Sequence, residues 1–159
     1  MGIRALRQIA FTALRAIEPV RRTDERFVVY EDAQGPVDRI DDFTGMVPFR
    51  RVDMRLSGLP RDDGEAGADN RRVRTGYVVR AAYRVDGDIA EVEDVIAEDL
   101  ERILQALVNL PLSAGYGAAG GHSTSIPGQP TSQTYFSKPD ARPMGVVVSI
   151  PFDIIYAEV

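Results

Sequence analysis

Two residue types that often carry protein chemistry are missing or scarce in this chain. The sequence has no cysteine and a single histidine, His122, among its 159 residues. Without cysteine it can form no disulfide, thiol nucleophile or zinc–thiolate site. With one histidine it can build no histidine metal cluster, and a histidine–carboxylate catalytic pair would depend on His122 alone. These absences exclude the commonest cysteine- and histidine-based sites.

Long apolar runs are also missing. A membrane-spanning helix needs about 20 consecutive apolar residues, and no run in the sequence approaches that length. Arg4 and Arg7 precede an apolar patch at the N-terminus, but Arg15 interrupts the patch and no small-residue cleavage site follows. We therefore expect neither a signal peptide nor a membrane partner.

Positive charge is in the minority, and the formal net charge is -5. This balance argues against nucleic acid as the main partner, because phosphate backbones favour basic surfaces. The charge is unevenly spread, since the segment up to Arg22 is basic and the stretch after Asp88 is acidic. Such asymmetry suits head-to-tail contact between copies of one chain, although a solvated face gives the same pattern.

The residues that are present predict an ordinary globular domain. Hydrophobic residues make up 44% of the chain and charged residues 27%, as in typical soluble domains. The length favours one domain over residues 1–159. The periodicity predicts an α+β fold, in which a mainly antiparallel sheet is packed by an N-terminal helix and one long central helix.

The stretch from Arg71 to Asn109 organises the predicted fold. Apolar residues alternate with arginines up to Val85, which predicts a strand with one buried face and one wet face. The wet face carries Arg72, Arg74, Arg80 and Arg84. Asp86-Gly87 turns the chain, and Asp88 then caps a helix that ends near Asn109, with Glu91 placed as in a capping box. Glu93, Asp94, Glu98, Asp99 and Glu101 are expected on the wet side of that helix.

Further elements flank this block. Helical spacing predicts an amphipathic helix over residues 2–18, and short strands are predicted over 27–30 and 48–56. In the second of these strands Arg51, Asp53 and Arg55 share one face. A final strand spans residues 144–159, and Pro151 requires it to be at an edge, bulged, or unpaired on one side there. Residues 57–70 and 113–145 are expected to be long polar loops, with a short strand around Thr134–Ser137 in the second.

The motifs that could indicate catalysis or ligand binding lack the neighbouring elements or the spacing that such sites require. Gly115, Gly117 and Gly120 form G-x-G-x-x-G, but they follow a predicted helix, whereas a dinucleotide site places them between a strand and a helix. His122 could be drawn as a base beside Ser123 and Ser125, yet no nucleophile elbow surrounds these serines. The carboxylates Asp62, Asp63, Glu65 and Asp69 do not have the spacing of a calcium loop. We expect no catalytic, cofactor or metal site, and no enzymatic activity.

The order of elements resembles that of the tail terminator proteins of long-tailed bacteriophages, a group also called tail-completion or minor tail proteins. Three segments carry the resemblance. They are the opening helix over residues 2–18, the block RRVRTGYVVRAAYRVDGDIAEVEDVIAEDLERILQAL that starts at Arg71, and the ending GVVVSIPFDIIYAEV with its late Tyr156. The segment from Ser113 to Gly145 departs from the family pattern, which leaves the subgroup open.

The resemblance implies a structural function in the virion. Terminator proteins form a ring, commonly of six subunits, that caps the head-proximal end of the tail tube. The cap stops tube polymerisation and joins the tail to the neck, and no cofactor is involved. The implied partners are the chain itself, the tail tube protein and the neck or connector proteins. DNA passing through the lumen is left open as a further partner. The implied location is the tail–neck junction, after assembly in the host cytoplasm.

A ring requires that one surface of a subunit meets a different surface of the next. We hypothesise that the arginine faces meet acidic surface on the neighbour. The interface candidates are Arg51, Arg55, Arg72, Arg74, Arg80, Arg84, Glu93, Asp94, Glu98 and Asp99. Two other functions stay open at this point: a head-completion connector of a tailed phage, and a small α+β ligand-binding domain or enzyme.

Overall fold

One seven-stranded sheet carries helices on one of its faces. The computed structural model describes residues 3–31, 39–45, 47–58, 61–67, 70–110 and 123–158. The helices are α1 (Ile3–Arg15) and α2 (Ile89–Val108), and a short 3-10 helix spans Arg39–Asp41. The strands are β1 (Val28–Tyr30), β2 (Arg50–Leu56), β3 (Arg61–Gly67), β4 (Asn70–Arg84), β5 (Ser123–Ser125), β6 (Thr131–Phe136) and β7 (Pro143–Glu158).

The two long strands β4 and β7 form the centre of the sheet. They pair antiparallel from Arg71↔Glu158 to Arg84↔Gly145. On the other side of β4, β2 and β3 pair antiparallel with successive parts of its length. The three-residue β1 runs parallel to β2 at one edge, while β5 and β6 pair antiparallel with β7 at the other. The predicted α+β class with a mainly antiparallel sheet is confirmed.

The two faces of the sheet differ in their packing. The face under the helices, called the helix face here, holds the main core, in which Val79, Ile150 and Phe152 are completely buried. The opposite face is called the open face. One end of it is covered by a smaller cluster in which Ile40 and Phe43 pack against Ala82 and Val147. The alternation read from β4 therefore predicts its faces correctly.

The helices follow their predicted apolar stripes. In α1 the buried residues are Ala10, Phe11 and Leu14, and in α2 they are Val92, Val95, Asp99, Ile103 and Leu107. The Asp88 carboxylate caps α2 by accepting a hydrogen bond from the backbone N–H of Ala90 at 3.0 Å. The helix ends at Val108 with Asn109 as its C-cap, as predicted. The first helix ends at Arg15, three residues earlier than expected.

Pro151 lies at a gap in the outer pairing of β7. On one side it is in register with Val78 of β4. On the other side β6 pairs with β7 up to Ser149, and β5 pairs with it from Asp153 to Ile155. Because proline has no N–H to donate, a strand interior tolerates it best where one side is unpaired. The third predicted possibility for Pro151 is therefore the one found.

Both predicted long loops contain strands, and these predictions are wrong in that respect. Residues 61–67 form β3, which makes a hairpin with β4 and shifts register at two places. Residues 123–125 and 131–136 form β5 and β6 inside the segment expected to be a loop. The short strand expected around Thr134–Ser137 corresponds to β6. None of these strands has a strong apolar alternation, so the sequence pattern does not reveal them. They are stabilised by backbone pairing with the long central strands.

Among the described helices, none is both long enough and apolar enough to cross a membrane.

Candidate functional site

The open face of the sheet carries a group of arginines, here called the arginine surface: Arg55 of β2, and Arg74, Arg80 and Arg84 of β4. These residues lie on the open face because they alternate with core residues along their strands. Their side chains are between 18% and 32% exposed, so each is partly accessible to solvent. Sequence reasoning placed Arg74, Arg80 and Arg84 on the wet face of one strand and Arg55 on the charged face of another, and the structure brings all four onto the open face.

Two aspartates hold these arginines in place. Asp53 accepts hydrogen bonds from Nε and Nη2 of Arg80 at 3.0 and 2.6 Å. The same carboxylate lies 3.5 Å from Nε of Arg55. Asp153 binds Nη1 of Arg74 at 2.8 Å. Asp53 therefore bridges the guanidinium groups of Arg55 and Arg80 on the open face.

Arg51 does not join this surface, and the side chain of Arg72 lies outside the described part of the chain. Arg51 was expected on the charged face of its strand and was an interface candidate, but its exposure is only 1%. Its Nη1 donates to the carbonyl of Asp42 at 3.0 Å, and its guanidinium lies 4.9 Å from the centre of the Phe43 ring. The segment around Phe43 covers this end of the face, so Arg51 cannot meet a neighbouring chain directly. Arg72 lies in β4 opposite Ala157, and its side chain is outside the described part.

The outward side of α2 carries a second group, here called the carboxylate surface: Glu91, Glu93, Asp94 and Glu101, all of which are exposed. Their helical positions point away from the buried stripe of α2. The negative charges of the first turns also interact favourably with the positive end of the helix dipole. Glu98, another interface candidate, accepts a hydrogen bond from Nε of Arg21 at 3.0 Å. This bond raises the pKa of Arg21 and engages Glu98 within its own chain.

Asp99 was expected on the same wet side, and this prediction is wrong. Its residue exposure is 0%, and it lies within the apolar stripe between Val95 and Ile103. Nη1 of Arg50 binds its two carboxylate oxygens at 2.8 and 2.7 Å. Arg50 is equally buried, because it shares the helix face with Val52. The charge of Asp99 is therefore satisfied inside the core and is not available to a partner.

Aromatic rings surround this buried ion pair. The Arg50 guanidinium lies 5.5 Å from the Phe27 ring centre and 5.1 Å from that of Phe49. Burial raises the pKa of Asp99, and the adjacent Arg50 opposes that shift. Burial also raises the pKa of the Tyr83 hydroxyl, which hydrogen-bonds to the Asp99 carboxylate. The cluster joins β2, β4 and α2, and its geometry is that of a structural pair.

An open groove of about 430 Å³ lies between α1 and α2. Its small and apolar lining includes Ala13 of α1, Ile17 just after α1 and Ala106 of α2. Its polar lining consists of Glu18, Arg102, Gln105 and Asn109. This lining brings together no nucleophile–base pair, since it holds one carboxylate, one guanidinium and two amides. The groove could hold a small ligand, but it offers no evident reaction.

The other chemical candidates lie mostly outside the described residues. This applies to Gly115, Gly117, Gly120, His122 and Asp69, and to the side chains of Asp62, Asp63, Glu65 and Ser123. Ser125 lies on β5 opposite Asp153. In the described part of the chain, no group of three or more histidine, cysteine, aspartate or glutamate side chains could hold a metal ion.

No protein-family model matches the chain, and no curated protein has a matching sequence.

Proposed function

We propose that this chain is a structural virion subunit that assembles with copies of itself into a ring, like the tail terminators that it resembles. In this proposal the ring caps the head-proximal end of the tail tube and ends tube polymerisation. Its partners are the tail tube protein on one side and neck or connector proteins on the other. The protein acts at the tail–neck junction after assembly in the host cytoplasm, and it catalyses no reaction.

The observation that supports this proposal best is that two of the segments that carry the resemblance pack together in the fold. The strand before the Asp86-Gly87 turn is β4, and the helix after the turn is α2. The ending of the chain is β7, which pairs with β4 along almost its whole length. Segments far apart in sequence therefore form one unit at the centre of the sheet, and this supports the proposal because both segments belong to the resemblance.

The surfaces of the domain also support self-assembly. A homomeric ring needs two different surfaces on each subunit, whereas a symmetric dimer needs one surface that complements itself. This chain has an arginine surface on its sheet and a carboxylate surface on α2. Neither surface complements itself, because like charges repel when two identical copies meet.

The function is tested in virus particles that lack the protein. Loss of a terminator leaves tube polymerisation unregulated, so we expect overlong tails by negative-stain electron microscopy. Tails of normal length together with empty or leaking heads would contradict the terminator function and favour a head-completion connector. A soluble monomer that binds a small molecule in the groove between α1 and α2 would contradict both virion functions.

A further inference from the structure

Phe136 is the most exposed large hydrophobic residue in the described part of the chain, at 57%. It is the last residue of β6 and lies opposite Pro143 of β7. The preceding Tyr135 packs against Phe43, with 5.8 Å between the ring centres, and is only partly exposed. A single exposed aromatic ring is common on protein surfaces. The neighbours of Phe136 distinguish it, because they fix its position and carry charge.

A closed turn follows Phe136, and residues 136–142 are called the aromatic turn here. The backbone N–H of Ser137 donates to the carbonyl of Arg142 at 2.8 Å. The N–H of Arg142 in turn donates to the Ser137 hydroxyl at 3.2 Å. Lys138 and Asp140 are both exposed on this turn. The aromatic turn therefore presents one large apolar ring together with charges of both signs.

The groove between α1 and α2, called the helix groove here, offers space for such a ring. Its volume of about 430 Å³ lies in the range of pockets that take small organic groups. Three alanines, Ala13, Ala16 and Ala106, leave this space, since a larger side chain at any of them would fill it. Glu18 and Arg102 also line the groove, and both are exposed. Burying an aromatic ring here would remove apolar surface of both partners from water.

The charges of the aromatic turn and of the helix groove are complementary. The groove carries the carboxylate of Glu18 and the guanidinium of Arg102. The turn carries the ammonium of Lys138 and the carboxylate of Asp140. None of these four groups forms an ion pair with another described residue of its own chain. Each can therefore pair with a group of opposite sign on a second copy, and such pairs fix the register of a contact.

We infer that Phe136 of one copy inserts into the helix groove of the next copy, with Lys138 beside Glu18 and Asp140 beside Arg102. This inference rests on the proposed ring, because it names the contact between neighbouring subunits. Phe136 does not occupy the groove of its own chain, since it is paired with β7 and is absent from the groove lining. The contact joins two different surfaces, which is a heterologous arrangement that generates a ring when the rotation closes.

Removal of the aromatic ring tests the first side of the contact. Phe136→Ser is expected to raise the protein concentration needed for half-assembly by about tenfold or more, because aromatic anchors in pockets dominate interfaces. The risk to folding is small, since Phe136 is already exposed. Leu56→Ser is the matched control, because Leu56 is 54% exposed and belongs to neither the aromatic turn nor the groove lining. Light scattering measures assembly, and circular dichroism confirms that each variant is folded.

Filling the helix groove tests the second side. Ala16 lines the groove and is exposed, so Ala16→Phe places a ring there from the same chain with little risk to folding. This variant should weaken assembly by a factor similar to that of Phe136→Ser. Thr12→Phe is the matched control, because Thr12 is exposed on α1 and does not line the groove. The control should assemble like the wild type.

Cross-linking tests the register of the contact directly, because the natural chain has no cysteine. A mixture of Glu18→Cys chains and Lys138→Cys chains should be joined by a short bismaleimide into dimers that contain one chain of each kind. Thr44→Cys replaces Glu18→Cys in the control mixture, since Thr44 is exposed next to Phe43 on the open face. Equal cross-linking in the two mixtures would contradict the contact.

The outcomes separate this inference from the proposed function. Rings that persist in both Phe136→Ser and Ala16→Phe would overturn the contact and leave the ring itself standing. Rings that are weakened by Phe136→Ser but not by Ala16→Phe would overturn the helix groove as the binding site of the ring of Phe136. A wild-type chain that stays monomeric would overturn the proposed ring and the contact together.

Discussion

Arg50 and Asp99 place an ion pair inside the core, between β2 and α2. Both residues are 0% exposed, and two short hydrogen bonds join them. Nη2 of Arg50 also donates to the carbonyl of Arg21 at 2.6 Å, so the pair fixes the chain that follows α1. A buried pair gains little over apolar residues of similar volume, but removing one partner leaves a buried, unpaired charge.

Replacing Asp99 with alanine is therefore expected to lower the free energy of unfolding by about 3–5 kcal/mol. The double variant Arg50→Met/Asp99→Leu should recover most of this loss, because no unpaired charge remains in the core. Asp94→Ala, on the exposed side of the same helix, should change stability by less than about 0.5 kcal/mol. Urea unfolding of the four proteins measures these differences. Equal effects of Asp99→Ala and Asp94→Ala would contradict the structural role of the pair.

Gly145 is required by the ring of Phe43. A Cβ atom at this position would lie 2.2–2.3 Å from three carbons of that ring, so the ring would have to move. We expect Gly145→Ala to destabilise the protein by about 1–3 kcal/mol through overpacking. Gly87→Ala is the matched control, because a Cβ atom there meets nothing within 4 Å. Thermal unfolding compares the two variants, and similar melting temperatures would contradict this packing.

The positions of Asp99 and Arg50 in the sequence pattern indicate that both are buried, whereas their charge alone predicts that both are exposed. Asp99 lies four residues from both Val95 and Ile103, in phase with the apolar stripe of α2. Arg50 has the same parity as Val52 and Met54, which point into the core. A charged residue in phase with an apolar stripe can thus indicate a buried partner elsewhere. The identity of the partner could not be predicted, because it depends on how the helix packs across the sheet.

At the level of elements, the linker between α1 and β1 is tied to the turn between β4 and α2. Arg22 donates hydrogen bonds to both carboxylate oxygens of Asp86 at 3.0 and 2.9 Å. Its guanidinium also lies 3.5 Å from the centre of the Phe49 ring. The bonds from Arg22, supported by Arg84, lower the pKa of Asp86 from 3.8 to about 2. Arg22 therefore links two elements through one carboxylate.

This link gives a pH-dependent contribution to stability. Since the folded-state pKa of Asp86 is lowered, its contribution is present above pH 3.8 and is lost as the pH falls towards about 2. The Asp86 side chain is 38% exposed, so solvent screening limits the contribution to about 1 kcal/mol or less. Asp86→Asn should therefore be less stable than the wild type at pH 7. The difference should shrink between pH 4 and pH 2 in urea unfolding, and a difference independent of pH would contradict the link.

Elements with a strong apolar periodicity could be predicted from the sequence. Strands that are stabilised mainly by pairing with neighbouring strands could not. β4, β7 and α2 carry clear apolar patterns, and their predicted bounds lie within a few residues of those found. β3, β5 and β6 have no such pattern, and pairing with the long central strands supplies their stability. Of the six arginines named as interface candidates, Arg55, Arg74, Arg80 and Arg84 lie on the open face, and the side chain of Arg72 is outside the described part. Arg51 is not accessible there, because the segment around Phe43 covers it.

At the level of the whole molecule, the domain is a two-layer body with arginines on the open face of its sheet and carboxylates on the outward side of α2. The helices cover one face of the sheet, and the arginine surface lies on the other. This arrangement supports repeated contact between copies, in which each subunit offers one side to each neighbour. The proposed terminator function depends on that assembly, because a ring, and not a monomer, can cap a tube.

The mass and shape of the purified protein in solution test this central claim most directly. Light scattering should give a mass several times the chain mass of 17.5 kDa, and about six times if the terminator resemblance extends to stoichiometry. Negative-stain images of the same sample should show closed rings with a central opening. A sample that remains at 17.5 kDa at high concentration and low salt, with no rings, would contradict the account.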